Sequence, residues 1–188
     1  MTNDISATTV AAPLPIAPGR WAMDPFHSSV NFTIRHLGIA KVRGRFSGVQ
    51  AELFVGERVE DVRVSATVDL ASIDTGNADR DAHVRASDLL DVAKRPTMTY
   101  RSTRVSGEGE DWTMEGELTI GDVTRPVTFA VEFGGLGAMP VGGDGRHAGF
   151  EATGEIRRGE FGLDFAPGLL GEVVKIQLDM QFVEPEGA

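Results

Sequence analysis

Apolar and polar residues alternate through most of the chain after Arg20. Val30, Phe32 and Ile34 alternate with Asn31, Thr33 and Arg35. Val62, Val64, Ala66, Val68 and Leu70 alternate with Arg63, Ser65, Thr67 and Asp69. The same period recurs in Val127, Phe129, Val131 and Phe133, and in Ile176, Leu178, Met180 and Phe182. A period of two turns one apolar face inward and one polar face to water, the signature of antiparallel sheet. Weaker strands fit residues 43–55, 97–106, 112–121 and 148–158. Turn chemistry separates them at Gly56-Glu57, at 107–111, at Gly121-Asp122 and in a glycine-rich loop at 134–145. The total is about eight strands, which predicts a sandwich or a barrel. Long strands with one apolar face favour the barrel, because closure removes exposed edges.

Two segments depart from this period. Residues 77–90 carry helix formers without alternation. Asn77 stands where it can cap a helix, Asp79 and Asp81 fall in the first turn, and Arg85 falls late, as the helix dipole favours. Asp81 and Arg85 form an i,i+4 pair, and a second short turn begins at Ser87. The segment reads as a helical excursion across one barrel opening. Residues 1–19 hold Pro13, Pro15 and Pro18 among small and polar residues, and read as a disordered arm before a barrel domain at 20–184.

Charge and composition narrow the functional classes. The chain has 188 residues and a formal net charge of −10. An acidic surface repels nucleic acid and anionic membrane faces, so neither nucleic-acid binding nor stable membrane insertion is expected. With no cysteine there is no disulfide, thiol nucleophile or thiolate metal site. The sequence as given opens without a basic start and apolar run, so a cytoplasmic location is expected.

A series of short motifs carries more specific information. Trp21-x-x-Asp24-x-x-His27-Ser28-x-x-x-Phe32 leads to His36-Leu37-Gly38 and Val42-x-Gly44-x-Phe46. Ser72-Ile73-Asp74-Thr75-Gly76-Asn77 precedes Arg80-Asp81-x-His83 and Leu89-Leu90-Asp91-Val92. Pro96-Thr97-Met98-Thr99-Tyr100-x-Ser102, Leu118-Thr119-Ile120-Gly121-x-x-Thr124-x-Pro126-Val127 and Arg158-x-x-Phe161-Gly162-Leu163 follow. In this order and spacing, over residues 20–183, the chain resembles the YceI-like family of lipocalin-like polyisoprenoid-binding proteins. Leu89-Leu90 stand where that family usually has paired phenylalanines, and Tyr100 where it has phenylalanine. The resemblance implies an elongated antiparallel eight-stranded barrel that holds a polyisoprenoid, an isoprenoid quinone or a similar long-chain amphiphile, often as a homodimer.

Asp24, His27 and Ser28 have the types of a base-activated nucleophile. Read as strand neighbours, His27 and Ser28 point to opposite faces, and no Gly-x-Ser-x-Gly elbow is present. The four histidines, His27, His36, His83 and His147, form no close metal-binding pair, so no metal site is expected. No cofactor is expected apart from a bound lipid. Apolar stripes could fill a barrel interior or line a cavity, and sequence physics alone favours filling. The resemblance reverses that preference. Candidate lining residues are Phe32, Ile34, Phe46, Val68, Leu89, Leu90, Tyr100, Leu118, Ile120, Phe129 and Phe161. His27, His36, Arg80, Asp81 and His83 form a polar-head or structural network. The expected function is non-enzymatic binding, transport or sequestration of the amphiphile. A lipid-modifying hydrolase or isomerase using Asp24, His27 and Ser28 is the alternative, and a packed interaction module is the third reading.

Overall fold

The computed structural model describes residues 14–138 and 145–187. Its strands are β1 (Gly19–Met23), β2 (Ser29–His36), β3 (Ala40–Phe46), β4 (Val49–Val55), β5 (Arg63–Asp69), β6 (Ile73–Asp74), β7 (Thr97–Glu108), β8 (Asp111–Ile120), β9 (Val123–Ala138), β10 (Arg146–Arg157) and β11 (Leu170–Val183). All of them join one sheet in the order β1-β4-β5-β7-β8-β9-β10-β11-β2-β3-β6. A further pairing closes it, with Ala22 opposite Val183 and Met23 opposite Phe182. β1 and β2 act as one long strand broken at residues 24–28, and β3 and β4 as another broken at 47–48. Counted this way the molecule is a closed eight-stranded antiparallel barrel with a two-residue extra strand, β6.

The alternation explains the register. Val30, Phe32 and Ile34 on β2 face Phe46, Gly44 and Val42 across the β3 ladder, and Leu178, Ile176 and Val174 across the β11 ladder. One apolar face is therefore continuous across three strands, as pairing at period two requires. Pro126 is tolerated within β9 because β10 pairs with β9 only over residues 130–138. The side of Pro126 that lacks an N–H faces no ladder.

The helix α1 (Ala78–Arg85) starts where expected. The Asn77 side chain accepts a hydrogen bond from the Arg80 amide at 2.9 Å. A turn follows at 87–90. The anticipated Asp81–Arg85 pair does not form. Asp81 accepts from the Thr75 amide and hydroxyl, at 3.0 and 2.6 Å, and Arg85 donates to the carbonyls of Ala71 and Ile73. Both side chains tie the helix to the β6 strand and its flanks instead of stiffening the helix.

Three further expectations need correction. Residues 24–28 are a turn, not a strand, so facing rules for strands do not govern His27 and Ser28. Gly134, Gly135 and Gly137 lie within β9, not in a loop, and residues 139–144 of that predicted loop lie outside the described residues. The predicted arm at 1–19 is not loose in its described part. Ile16 is buried, Leu14 and Ala17 lie against the core, and Gly19 already belongs to β1. The fully buried Trp21 anchors this stretch, donating from Nε1 to the Ala17 carbonyl at 2.9 Å. Three prolines hid the docking, because two apolar side chains spaced by proline give no period. Residues 1–13 lie outside the described residues.

The buried contact of Ile16 makes a quantitative expectation. Ile16→Ala should cost about 2 kcal/mol, at the low end of the range for large-to-small changes in a core. Thermal unfolding should show a melting temperature lower by about 4–8 °C. An unchanged melting temperature would mean that residues 14–18 do not contribute to the folded state.

Candidate functional site

An elongated cavity of about 720 Å³ runs inside the barrel. That volume is within the usual range for small-molecule sites. Leu14, Ile16 and Val55 line it near one end of the bent β3–β4 strand, and His36, Ala40 and Leu170 near the other. Most of the wall is aliphatic or aromatic. Its polar and charged members are Asn31, His36, Lys41, Thr75, Arg80, Thr99, Tyr100 and Arg158, together with the indole of Trp112. No Asp or Glu lines it among the described residues.

The structure brings nine of the eleven predicted apolar residues to this wall: Phe32, Ile34, Phe46, Leu89, Leu90, Tyr100, Leu118, Ile120 and Phe129. Val68 and Phe161 are buried elsewhere. Val68 shares a face with Val64 and Ala66 but sits at the end of β5, in register with Val49 and Met98, buried and outside the wall. Phe161 belongs to the short helical turn Arg158–Phe161 and packs into solid core. Many wall residues were missed, among them Val42, Val64, Met114, Phe150, Ile176, Leu178 and Met180. Their signal was present in the same alternating stripes.

Aromatic rings shape the wall where glycine leaves room. The Phe32 ring lies across Gly44, its cross-strand partner, and a Cβ on Gly44 would collide with that ring. Tyr100 crosses Gly116 in the same manner and meets Phe129 edge-on at 5.3 Å between centroids. The Tyr100 hydroxyl lies 3.2 Å from the Val127 carbonyl and 3.3 Å from that of Met114, so its proton has an acceptor. Burial, with Glu115 as a lesser influence, pushes the phenol well above its ordinary pKa and keeps it neutral. Tyr100 thus acts as phenylalanine with a satisfied handle.

Around the His36 end, arginines hold loops by their backbone. Arg158 is almost fully buried. It donates to the carbonyls of Leu163 and Phe165, at 2.5 and 2.7 Å, and to those of Gly171 and Leu170, at 2.9 and 3.2 Å. Its guanidinium lies 5.1 Å from the Phe165 ring centroid, near enough for a cation–π contact. Arg80 donates to the Thr75 hydroxyl and carbonyl, and Arg95 to the carbonyls of Leu89 and Leu90. The motif Arg158-x-x-Phe161-Gly162-Leu163 does not by itself mark Arg158 as a wall residue. A buried arginine whose partners are all carbonyls leaves no charge pattern to read.

The polar candidates separate into two places. His36 and Arg80 line the cavity, whereas His27, Asp81 and His83 do not. Asp81 is buried behind Thr75. His83 pairs with Asp88 at 3.1 Å on the surface. His27 Nδ1 lies 2.8 Å from Asp24 Oδ2, with the imidazole more than half exposed. Ser28 is not aligned with that pair. Its hydroxyl exchanges hydrogen bonds with the Gln181 backbone, at 3.0 and 3.3 Å, and so ties the 24–28 turn to β11. Gln181 Nε2 links the turn further, reaching Asp24 and His147. The trio is a turn clamp on the barrel wall. Among the described residues, no group of three His, Asp or Glu side chains converges to hold a metal ion.

Burial alone would raise the Asp24 carboxyl, but hydrogen bonds from His27 and the Phe26 amide, with the nearby His27 charge, outweigh it. The group is held below the usual aspartate range. A depressed folded pKa contributes stability above the unfolded value, about 4, and loses it as pH falls through the folded one. Asp24→Asn should therefore lower the melting temperature at pH 7 and converge with the parent protein as pH falls below the folded value. A constant difference across that range would dissociate the carboxylate from the clamp. At Arg158, replacement by Met should strand four carbonyls and cost about 3 kcal/mol or more. Chemical denaturation that detects no loss would show those carbonyls to be satisfied otherwise.

Three comparisons bear on this geometry. The family model described as the YceI-like domain matches residues 21–182. Protein YceI of Escherichia coli is 35% identical over 159 residues, covering 84% of this chain and 82% of the relative. A UPF0312 protein of Enterobacter sp. (strain 638) is 36% identical over the same share. Among solved structures, the Campylobacter jejuni YCEI protein superposes with a TM-score of 0.71 at 26% identity, covering 81% of this chain and 91% of that one. A polyisoprenoid binding domain from Saccharophagus degradans, implicated in plant cell wall breakdown, superposes with a TM-score of 0.64 at 15% identity, covering 88% and 98%. At that identity the likeness concerns the fold.

Proposed function

From the premise that the chain belongs to the YceI-like domain family, we propose that its barrel binds a long-chain amphiphile of polyisoprenoid or isoprenoid-quinone type, for transport or sequestration, without making or breaking a bond. The observation that carries this reading is the cavity of about 720 Å³ with an almost wholly apolar wall. Burying one isoprene unit there gains roughly 3–4 kcal/mol gross, at about 0.8 kcal/mol per carbon group. Association and ordering costs offset much of that gain. Several units still give useful affinity with no strong polar contact. His36 and Arg80, at one end of the wall, are the candidates to meet the polar head. The enzymatic alternative has less support, since Asp24, His27 and Ser28 lie outside the wall and the Ser28 hydroxyl is engaged by Gln181.

Native mass spectrometry with organic extraction tests the reading. Protein purified from its host should carry a long-chain lipid. Phe32→Asp places an unpaired carboxylate on the wall, which is costly to bury, so a folded variant should lose most of that lipid. Folded His27→Ala should keep it. Conversion of the lipid by the parent protein, abolished in His27→Ala with binding intact, would replace the carrier with an enzyme. A parent protein that takes up no amphiphile would sink both.

A further inference from the structure

The charge of this chain is unevenly spread. From Pro25 to Ala51 the sequence has no Asp or Glu and four basic residues, Arg35, Lys41, Arg43 and Arg45, in a protein of net charge −10. These residues flank the β2–β3 hairpin. Arg45 is paired with Asp74 at 3.1 Å. Arg35, Lys41 and Arg43 make no ion pair among the described residues, and all three are exposed. The hairpin is therefore a basic projection from an acidic body.

Its tip is apolar. Ile39 is 82% exposed and Leu37 54%, and Leu169 beside them is 43% exposed. The Leu37 amide donates to the Leu169 carbonyl at 2.7 Å, which joins the hairpin to the β10–β11 connection in one rim. Leu37 adopts φ +52°, a left-handed conformation that a bulky residue takes only at a cost, where glycine or asparagine would serve. That backbone presents a leucine to water. The rim adjoins the cavity: the residues on either side of the turn, His36 and Ala40, line the wall, as does Leu170 next to Leu169.

We propose that this hairpin tip docks on an anionic lipid membrane, with Leu37, Ile39 and Leu169 entering the headgroup boundary while Lys41, Arg43 and Arg35 meet lipid phosphates. Exposed apolar side chains beside unpaired cations are what such a surface selects. A second copy of the chain is the poorer occupant, since two basic tips repel. Glu160 and Asp164 on the neighbouring connection and Glu172 on β11 are the acids near this rim, and Glu172 is engaged by the Gly159 amide. The docking geometry stands on the hairpin; its use, to pass a lipid through the adjacent cavity end, rests on the proposed function.

Co-sedimentation with vesicles tests it. Wild-type protein should partition onto phosphatidylglycerol–phosphatidylcholine vesicles, scarcely onto pure phosphatidylcholine, and should be released by 0.5 M salt, as screening requires. Ile39→Asp, and separately Arg35→Glu with Arg43→Glu, should each cut partitioning by about tenfold. Both act on exposed positions, so melting temperature and lipid content by native mass spectrometry should stay at wild-type values. Wild-type protein that ignores anionic vesicles, or variants that bind like wild type, would overturn the docking. So would a dimer, by light scattering, that Ile39→Asp dissociates without any vesicle binding. Protein that docks but carries no lipid would retain the docking and sink the cavity reading; protein that carries lipid but does not dock would do the reverse.

Discussion

Closure of the sheet on itself is the constraint from which the other features follow. Once Ala22 and Met23 pair with Val183 and Phe182, every strand has an inside and an outside. The period of two then decides what each side chain meets. Inward positions must be apolar because the interior offers them no water, and the ladders already satisfy the backbone. Eight strands enclose a space that side chains can fill or that can hold one ligand. Here glycines at inward positions, Gly44 and Gly116, let aromatic rings lie flat across the wall instead of projecting to the axis, and a cavity is left.

The ends of such a barrel are harder to build than its wall. Strands stop there, and connecting chain carries carbonyls that no ladder satisfies. This molecule meets that need with guanidinium groups. Arg158, Arg85, Arg95 and Arg80 between them serve carbonyls of the 70–96 and 158–171 connections. A guanidinium offers five donors in a planar fork, so one side chain can fix several turns of chain. Carbonyl partners do not neutralise the charge, and the wall near His36 holds cations without facing acids. The same end bears the basic hairpin. Net charge, a sum over the whole surface, had suggested uniform repulsion of anionic faces; the distribution differs from the sum.

Family membership and physical reading meet at different depths. The YceI-like match and the shared fold account for the barrel and its strand order. They do not explain why Tyr100 can stand among apolar residues. That follows from the Val127 and Met114 carbonyls within reach of its hydroxyl. Nor do they explain Asp24, His27 and Ser28, whose proximity in sequence suggested chemistry. The Asp24–His27 bond, with the bonds of Asp24 and Ser28 to Gln181, holds the break between β1 and β2, where a long strand must bend around the barrel.

What the chain determined by itself is whatever rests on local period and local capping. The alternation on β2, β5, β9 and β11, the turn residues, and the Asn77 cap all act between near neighbours, so they can be read along the sequence. Most of the cavity wall follows from that parity. Only the tertiary structure decided how far the cavity extends along each strand, and so why Val68 and Phe161 are covered while Val64 and Phe150 are not. It alone buried Ile16 in the core, sent Asp81 and Arg85 to separate partners, and gathered the carbonyls around Arg158. Each of these joins segments distant in sequence or replaces an expected local pair. Their free energies depend on which surfaces closure brings together, and no local pattern encodes that choice.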